Sequence, residues 1–357
     1  MNVTVVGAGN SGLAMAAHLS QEGNNVTLWN RSKDTISKLM NTHTIQCEGV
    51  VEGAVRIGIV TDNLKQALQN PDLILITTPA YSHKMLAELI GKNIRRETII
   101  ILNPGRTFGA LEFKKIYERH NNAYSQLIAE TQTTIYTSRK TEEDEVNIIA
   151  LKDDVLVASL DPRKNVELIK RLPECLQEYF VPASSIIETS IGNVGMVLHC
   201  APLLLNTGWT ENKKYVYKYY YEGITPTIAS FLEHLDEERV SVAEGLGLKV
   251  ESTKEWLKRT YHVEGANLYE CIHNNEAYNT IDAPSSLVHR YIFEDVPCGL
   301  VPLEAMGRRL GLEMIHTTLI VDLASRLLNV DFRSTGRNLD FLDDDLDSLF
   351  KVLERGA

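Results

Sequence analysis

The sequence predicts a doubly wound α/β domain over residues 1–183 followed by an all-α domain over residues 184–357. Three observations carry this reading. A glycine-rich turn joins a strand-like run to a helix-like one, continuous apolar runs alternate with amphipathic stretches, and strand-like runs cease near Ser184. A chain of 357 residues suits two domains better than one.

Asn2–Val6 reads as the first strand and Ser11–Glu22 as the helix after it. Val26–Trp29 is the second strand, with a helix through Lys33–Met40. Asp72–Thr77 and Thr98–Leu102 are unbroken apolar runs, the pattern of strands buried on both faces of a parallel sheet. Runs near Ser125–Ala129 and Val146–Ala150 are expected to extend that sheet. Strands alternating with helices in this way build βαβ units. Beyond Ser184 the period is helical. Val194, Val197, Leu198, Ala201, Leu204 and Leu205 form one stripe, and Ile228, Phe231, Leu232 and Leu235 begin another. Leu310–Leu328 reads as one long, mostly buried helix.

Composition excludes several classes. The chain is 44% hydrophobic and 23% charged, as a globular protein is. A net charge of -11 argues against a nucleic-acid partner, which needs a basic surface. Cys47, Cys175, Cys200, Cys271 and Cys298 show no C-x-x-C spacing, so neither a disulfide framework nor a metal site is expected. The opening MNVTVVGAGN lacks the basic region of a signal peptide. No apolar run is expected to be long enough to span a membrane. A cytoplasmic protein is the resulting expectation.

Gly7-x-Gly9-x-x-Gly12 lies between a strand and a helix, the context that makes this spacing a dinucleotide-binding turn of Rossmann type. Gly7 allows the tight turn, Gly9 lets the backbone approach a pyrophosphate, and Gly12 lets the helix pack on the strand. Asn10 and Ser11 open the helix, whose free N–H groups favour phosphate. An NAD site usually places Asp or Glu at the end of the second strand to bind the ribose 2′-hydroxyl. Here Asn30 stands there, followed by Arg31. Asn30 does not repel a 2′-phosphate and Arg31 can pair with one, so NADP(H) is expected over NAD(H). The alternative is that Arg31 is a solvated surface cation. Pro79 and Asn103 follow central strands, at the ends where such sheets bind ligands, and are candidates to line the path to the nicotinamide. Turn chemistry alone accounts equally well for both.

Further along, the chain reads Gly192-Asn193-Val194-Gly195-Met196-Val197-Leu198-His199, then Tyr220-Tyr221-Glu222-Gly223-Ile224-Thr225-Pro226. It continues with Arg290-Tyr291-Ile292-Phe293-Glu294-Asp295-Val296-Pro297 and Gly299-Leu300-Val301-Pro302. With the glycine turn, Leu102-Asn103-Pro104-Gly105 and Glu130-Thr131, these segments resemble the octopine/nopaline (opine) dehydrogenase family over nearly the whole chain. The resemblance implies a Rossmann-type domain joined to a helical one, with the active site in the cleft between. It implies NAD(P)H-dependent reductive condensation of an amino acid's amine with an α-keto acid, giving an N-(carboxyalkyl) amino acid. His199 corresponds to the family's catalytic histidine, Asp295 to its partner aspartate and Arg290 to its substrate-binding arginine. Several relatives are acidic where this chain has Asn30-Arg31, so NAD preference does not carry over from them.

The residues suit these roles, with alternatives beside each. Imine formation requires an amine to lose a proton and a carbinolamine to lose water, and imidazole can take and return that proton. Pro202 would leave the Leu198 carbonyl without its helical partner, so a kink beside His199 is expected. Read from its surroundings alone, His199 would equally be a satisfied core residue. Asp295 could orient the imidazole, or cap a helix beginning at Val296-Pro297; Glu294 competes for the first role. Arg290 suits a carboxylate, and equally a surface position. Tyr220, Tyr221, Thr131 and Arg106 are lesser candidates for a second carboxylate. The tyrosine run Tyr215–Tyr221 is most simply helix packing. Asn193 fits either the nicotinamide amide or a helix cap. The acidic stretch Asp340–Asp347 reads as a solvated helix face or cap.

Two other functions compete. One is a reductase like ketopantoate reductase or glycerol-3-phosphate dehydrogenase, although no lysine is placed with Asn193 and His199 as those chemistries need. The other is a non-catalytic NADPH-binding sensor. The sequence selects neither the amino acid nor the keto acid, although pyruvate is common in the family. The sequence leaves the oligomeric state open; a homodimer through the helical domain is one candidate, with no particular residue selecting it.

Overall fold

The computed structural model describes residues 1–212 and 214–340. It separates into two compact units, one running from Met1 through Ser190 and the other beginning at Ile191.

The first unit contains all twelve strands found among the described residues: β1 Asn2–Val6, β2 Asn25–Trp29, β3 Thr44–Gly49, β4 Gly53–Arg56, β5 Ile59–Thr61 and β6 Leu73–Ile76, then β7 Ile99–Leu102, β8 Leu127–Thr131, β9 Tyr136–Glu142, β10 Glu145–Leu151, β11 Val155–Ser159 and β12 Phe180–Pro182. Eight of them form one sheet in the order β12-β11-β8-β7-β6-β1-β2-β5. Neighbours from β8 through β5 pair in parallel. β11 joins β8 antiparallel, so the last two strands run against the rest. β6 and β7 are buried at every position, as their unbroken apolar sequences require. The chain leaves β1 toward β2 and returns to β1's other side as β6, so the strand order reverses at β1. Ligands bind at such a switch point.

A second, four-stranded sheet, β4-β3-β10-β9, corrects one expectation. Residues 146–150 do not extend the main sheet; they lie in β10, paired with β3 and β9. The first helix, α1 (Asn10–Gln21), explains why. Every residue from Gly12 to Leu19 is buried, so this helix needs apolar cover on both sides. The main sheet covers one side. Ile45, Cys47, Tyr136, Val146 and Ile148 of the second sheet share a core with Leu13, Met15 and Leu19. His18 and Tyr136 meet at 3.0 Å inside that layer. Burial lowers the imidazole's pKa and raises the phenol's, so both stay neutral.

The first unit runs past the expected boundary at residue 183. Thr189 and Ser190 donate hydroxyl hydrogen bonds of 2.9 and 2.5 Å to the buried Glu130 carboxylate at the end of β8, which ties the helix Ile186–Ile191 to the first unit.

The second unit is helical, with one isolated bridge, Lys218 to Asp282, among its described residues. Its main helices are α2 (Gly195–Leu205), α3 (Pro226–Gly245), α4 (Arg290–Phe293), α5 (Val301–Arg309) and α6 (Ile315–Leu328). The helix expected over 310–328 begins only at Ile315. Gly311 adopts a left-handed φ of +74° and Leu312 N–H bonds back to the Gly307 carbonyl, so α5 is closed off before α6 starts. α6 is also less buried than its composition suggested: Ile315 is 62% exposed and Leu319 53%. The tyrosine run is not a helix. Tyr217 and Tyr219 bond backbone-to-backbone with Ala283 and Ile281, an extended segment that turns at residues 219–223.

The stretch Ile186–Leu205 does reach the length and mean hydropathy, 1.2, of a membrane span, contrary to expectation. Its apolar window is 83% buried inside the protein, and the helix breaks between Ile191 and Gly195. From residue 341 on, the acidic tail lies outside the described residues.

Candidate active site

The glycine turn meets the requirements of a bound dinucleotide. Gly7 has a φ of +113°. A Cβ on Gly12 would fall 1.9 Å from the Gly7 carbonyl oxygen, whereas one on Gly9 would meet nothing within 4 Å. Gly12 is thus glycine for packing, and Gly9 leaves open space beside the backbone. The N-terminus of α1 carries no side-chain cap. Its first N–H groups are the donors a pyrophosphate takes.

Two expected cofactor residues are used differently from the simplest expectation. Asn10 accepts the backbone N–H of Lys140 at 2.9 Å. Asn30 accepts the Ala8 N–H at 3.2 Å and donates to the Ser32 carbonyl at 3.0 Å, bracing the turn against the loop after β2. Arg31 is exposed, with Nη1 3.2 Å from the Met85 sulfur. Thr77 at the end of β6 donates to the Gly7 carbonyl at 3.3 Å, so the ends of β1 and β6 converge. Pro79 follows, its carbonyl taken by Ser82. Asn103, at the end of β7, is buried, and neither end of its amide has a partner among the described residues. Buried amides normally find one, so this orphan suits a polar group of a bound cofactor.

In the second unit, α2 carries His199 and the segment after α4 carries Asp295. Nδ1 of His199 lies 2.8 Å from Oδ2 of Asp295. The aspartate side chain is 1% exposed and the imidazole 19%. Asp295 precedes Val296-Pro297 as a helix cap would, but its side chain makes no capping bond. The following residues, Val296–Leu300, form a π-helical turn, a distortion frequent at functional sites. A carboxylate at Nδ1 selects the tautomer with the proton there and leaves the Nε2 lone pair for other work.

Tyr291 holds the imidazole from the side. Its ring stacks on His199 with centroids 4.0 Å apart and planes 9° apart. His289 meets Tyr291 edge-on and accepts the Tyr291 N–H at 3.3 Å, capping α4. Burial, then the charges of Arg290 and His199, keep His289 below its ordinary pKa, so it stays a neutral acceptor. Arg290 sends Nε and Nη2 to Glu294 Oε2 at 3.2 and 2.9 Å. Glu294 is buried while Arg290 is half exposed, so a sunken carboxylate anchors an accessible guanidinium through its Nε and Nη2 atoms. The competition foreseen between Glu294 and Asp295 is resolved by partner: Glu294 takes the arginine and Asp295 the histidine.

Pro202 lies inside the continuous α2, without the helix restarting beside His199, and the carbonyls one turn before it have a specific partner. The buried Tyr219 hydroxyl donates to the His199 carbonyl at 2.5 Å and reaches the Leu198 carbonyl at 3.4 Å. Burial pushes the Tyr219 phenol well above its ordinary pKa, so it remains a donor. Tyr219→Phe should cost about 1–3 kcal/mol, the usual penalty for stranding a buried acceptor. Urea unfolding checks this, and an unchanged midpoint would refute it.

Other candidates are occupied elsewhere. Tyr221 donates to the Asn275 carbonyl, Thr131 lies buried against the Leu102 carbonyl, and Asn193 accepts the Gly195 N–H at 2.9 Å in the turn that leads into α2, where Val194 holds the cap position. Sequence reasoning missed Tyr291 and Tyr219. Tyr291 adjoins a chosen residue, but only the fold shows that it stacks. Glu294 lies four residues after Arg290, a helical pairing that could have been read. Among the described residues, no cluster of three His, Cys, Asp or Glu side chains is set to hold a metal.

A Rossmann-type unit with an open glycine turn, in one chain with a helical unit bearing a buried His–Asp pair and an anchored arginine, defines a nicotinamide-dependent oxidoreductase. Residues 182–328 match the family described as NAD/NADP octopine/nopaline dehydrogenase, alpha-helical domain. Residues 3–150 match that of ketopantoate reductase PanE/ApbA. An opine dehydrogenase of Arthrobacter sp. (strain 1C) is 37% identical over 95% of this chain and 94% of its own. The fold is shared with an octopine dehydrogenase solved with NADH and L-arginine, at a TM-score of 0.76, 18% identity and coverage of 96% and 94% of the two chains. It is shared too with a yersinopine dehydrogenase bound to NADP+, at a TM-score of 0.74, 15% identity and coverage of 100% and 98%. The chain belongs to the octopine/nopaline dehydrogenase family. Its reaction is that of an opine dehydrogenase, the NAD(P)H-dependent reductive condensation of an amino acid with an α-keto acid.

Proposed function

We propose that His199 moves the protons of this condensation, that Asp295 orients it, and that Arg290 holds the keto-acid carboxylate. The observation that carries the reading is the 2.8 Å contact between a nearly inaccessible Asp295 and a partly accessible His199. Nε2 of His199 takes a proton from the substrate ammonium, freeing the amine to add to the keto carbon. The same nitrogen returns the proton to the carbinolamine hydroxyl, which leaves as water and yields the imine. The Asp295 carboxylate stabilises the imidazolium between these transfers. Nη1 of Arg290 and the second N–H of Nη2, the donors not given to Glu294, grip the carboxylate. When bound, the nicotinamide cofactor supplies the hydride that reduces the imine carbon. Gly7, Gly9, Ser11 and Gly12 would hold its pyrophosphate, and Pro79 and Asn103 would lie toward its nicotinamide.

The reading extends to NADP(H) as the preferred cofactor. Asn30 puts no negative charge at the end of β2, and Arg31 is exposed beside it. Arg31→Ala should lower the NADPH-to-NADH ratio of kcat/KM by about tenfold or more, the worth of one charged hydrogen bond. An unchanged ratio, or a wild-type preference for NADH, would refute it. A cytoplasmic setting belongs to the same reading, as all five cysteines are free thiols.

The function is tested by following NADPH absorbance across a panel of amino acids and keto acids, pyruvate included. Oxidation should require both substrates, and the product mass should equal their sum less water plus two hydrogens. Oxidation with a keto acid alone would indicate a simple ketoacid reductase instead. The N-terminal match to ketopantoate reductase makes that the second reading.

A further inference from the structure

The second sheet brings a cation to the glycine turn. Lys140 lies on β9, and its backbone N–H bond to Asn10 pins that strand to the start of α1. Its side chain goes further. Nζ lies 3.2 Å from the Ala8 carbonyl and 3.5 Å from the Thr35 carbonyl. Ala8 sits between the first two glycines and donates its own N–H to Asn30. Thr35 lies in the segment that follows Arg31. The amine thus stands where the turn, the end of β2 and the loop after it converge. In a dinucleotide site the 2′ position of the adenosine ribose is read there.

Among the described residues the amine has no carboxylate in ion-pair contact. Its two contacts are neutral carbonyls, and an ammonium has a third donor. The carboxylates acting on it through space, Glu143 and Asp144, are engaged elsewhere: Asp144 with Lys38, Glu143 with Ser37 and the Lys38 N–H. Partial burial lowers the Lys140 pKa, as expected of a cation short of compensation.

We propose that Lys140 is a second cofactor-specificity residue, which grips the adenosine 2′-phosphate of NADP(H) together with Arg31 and reaches it from the added sheet. The proposal rests on the NADP(H) reading above. It separates two roles of one residue: the backbone N–H pins β9 to the start of α1, and the side chain reads the cofactor.

Substitution of the side chain tests this, because the backbone bond to Asn10 survives. Dissociation constants for NADPH, NADH, adenosine 2′,5′-bisphosphate and 5′-AMP are measured by calorimetry on wild type, Lys140→Met, Lys140→Gln and Lys140→Arg. In Met and Gln variants the two 2′-phosphorylated ligands should weaken by about ten- to a hundredfold, and NADH and 5′-AMP by less than about twofold. Lys140→Arg should restore most of the loss. Equal weakening of all four ligands would mean a purely structural lysine and overturn the proposal. So would full discrimination in the Met and Gln variants, which leaves the NADP(H) reading standing. Wild type binding NADH as tightly as NADPH overturns that reading and the proposal with it. Thermal melting of each variant separates lost binding from lost fold.

Discussion

Replacing His199 with alanine should lower kcat by about 10²–10⁴-fold, the span of general acid–base catalysis, with NADPH affinity essentially unchanged. In the proposed mechanism both proton transfers of imine formation pass through this one nitrogen, so the loss is expected to fall on turnover. The cofactor's glycine turn belongs to the other unit and keeps its affinity. Alanine also takes one hydrogen-bond partner from the buried Asp295 carboxylate, at a stability cost of about 1–3 kcal/mol. His199→Gln is therefore the companion variant, since it can return a hydrogen-bond donor to Asp295 while lacking a titratable group. Steady-state kinetics with fluorescence titration of NADPH separates the effects. Near-normal turnover in a folded His199 variant would remove the residue from the mechanism. Asp295→Asn should act in the same direction, because an amide can donate to Nδ1 and turn the ring's proton toward the substrate.

The second large effect is expected at Arg290. Arg290→Ala should raise the keto-acid KM by about a hundredfold or more, because two charged hydrogen bonds are lost at once. The amino-acid KM should move much less. The anchor matters because the Nε edge is already taken by Glu294, leaving one end of the guanidinium for substrate. Arg290→Lys should recover only part of the loss, since an ammonium has no fork and cannot serve Glu294 and a carboxylate in the same geometry. Glu294→Gln should produce a milder rise in the same constant by loosening the arginine. An unchanged keto-acid KM in Arg290→Ala would assign carboxylate binding elsewhere.

Much of the site was legible because its chemistry is carried by short segments. Gly7, Gly9 and Gly12 lie within six residues and need only a strand before and a helix after. Arg290 and Asp295 share one segment. Their division of labour was not legible, because adjacent Glu294 and Asp295 differ only in which neighbour each meets. The added sheet escaped for a related reason. Val146–Ala150 has the composition of a strand, but composition does not say which sheet accepts it. The sign that something covered α1 was present, as Leu13–Leu19 has no polar face beyond His18. The helix expected over 310–328 failed at a single glycine, where a left-handed φ outweighed the apolar periodicity around it.

By itself the sequence determined the fold class, and it supplied the glycine turn proposed for the pyrophosphate and the chemical types of the proposed reaction centre. These follow from local periodicity, from glycine's freedom of φ and from the pKa range of imidazole, none of which needs long-range contacts. The tertiary structure alone decided partnership. It set Asp295 on His199 across ninety-six residues, laid Tyr291 over the same ring and delivered Tyr219 to the carbonyls beside Pro202. It also brought Lys140 to a turn well over a hundred residues upstream. Such pairings depend on how helices and sheets pack, and packing distances are not written in the spacing of residues along the chain.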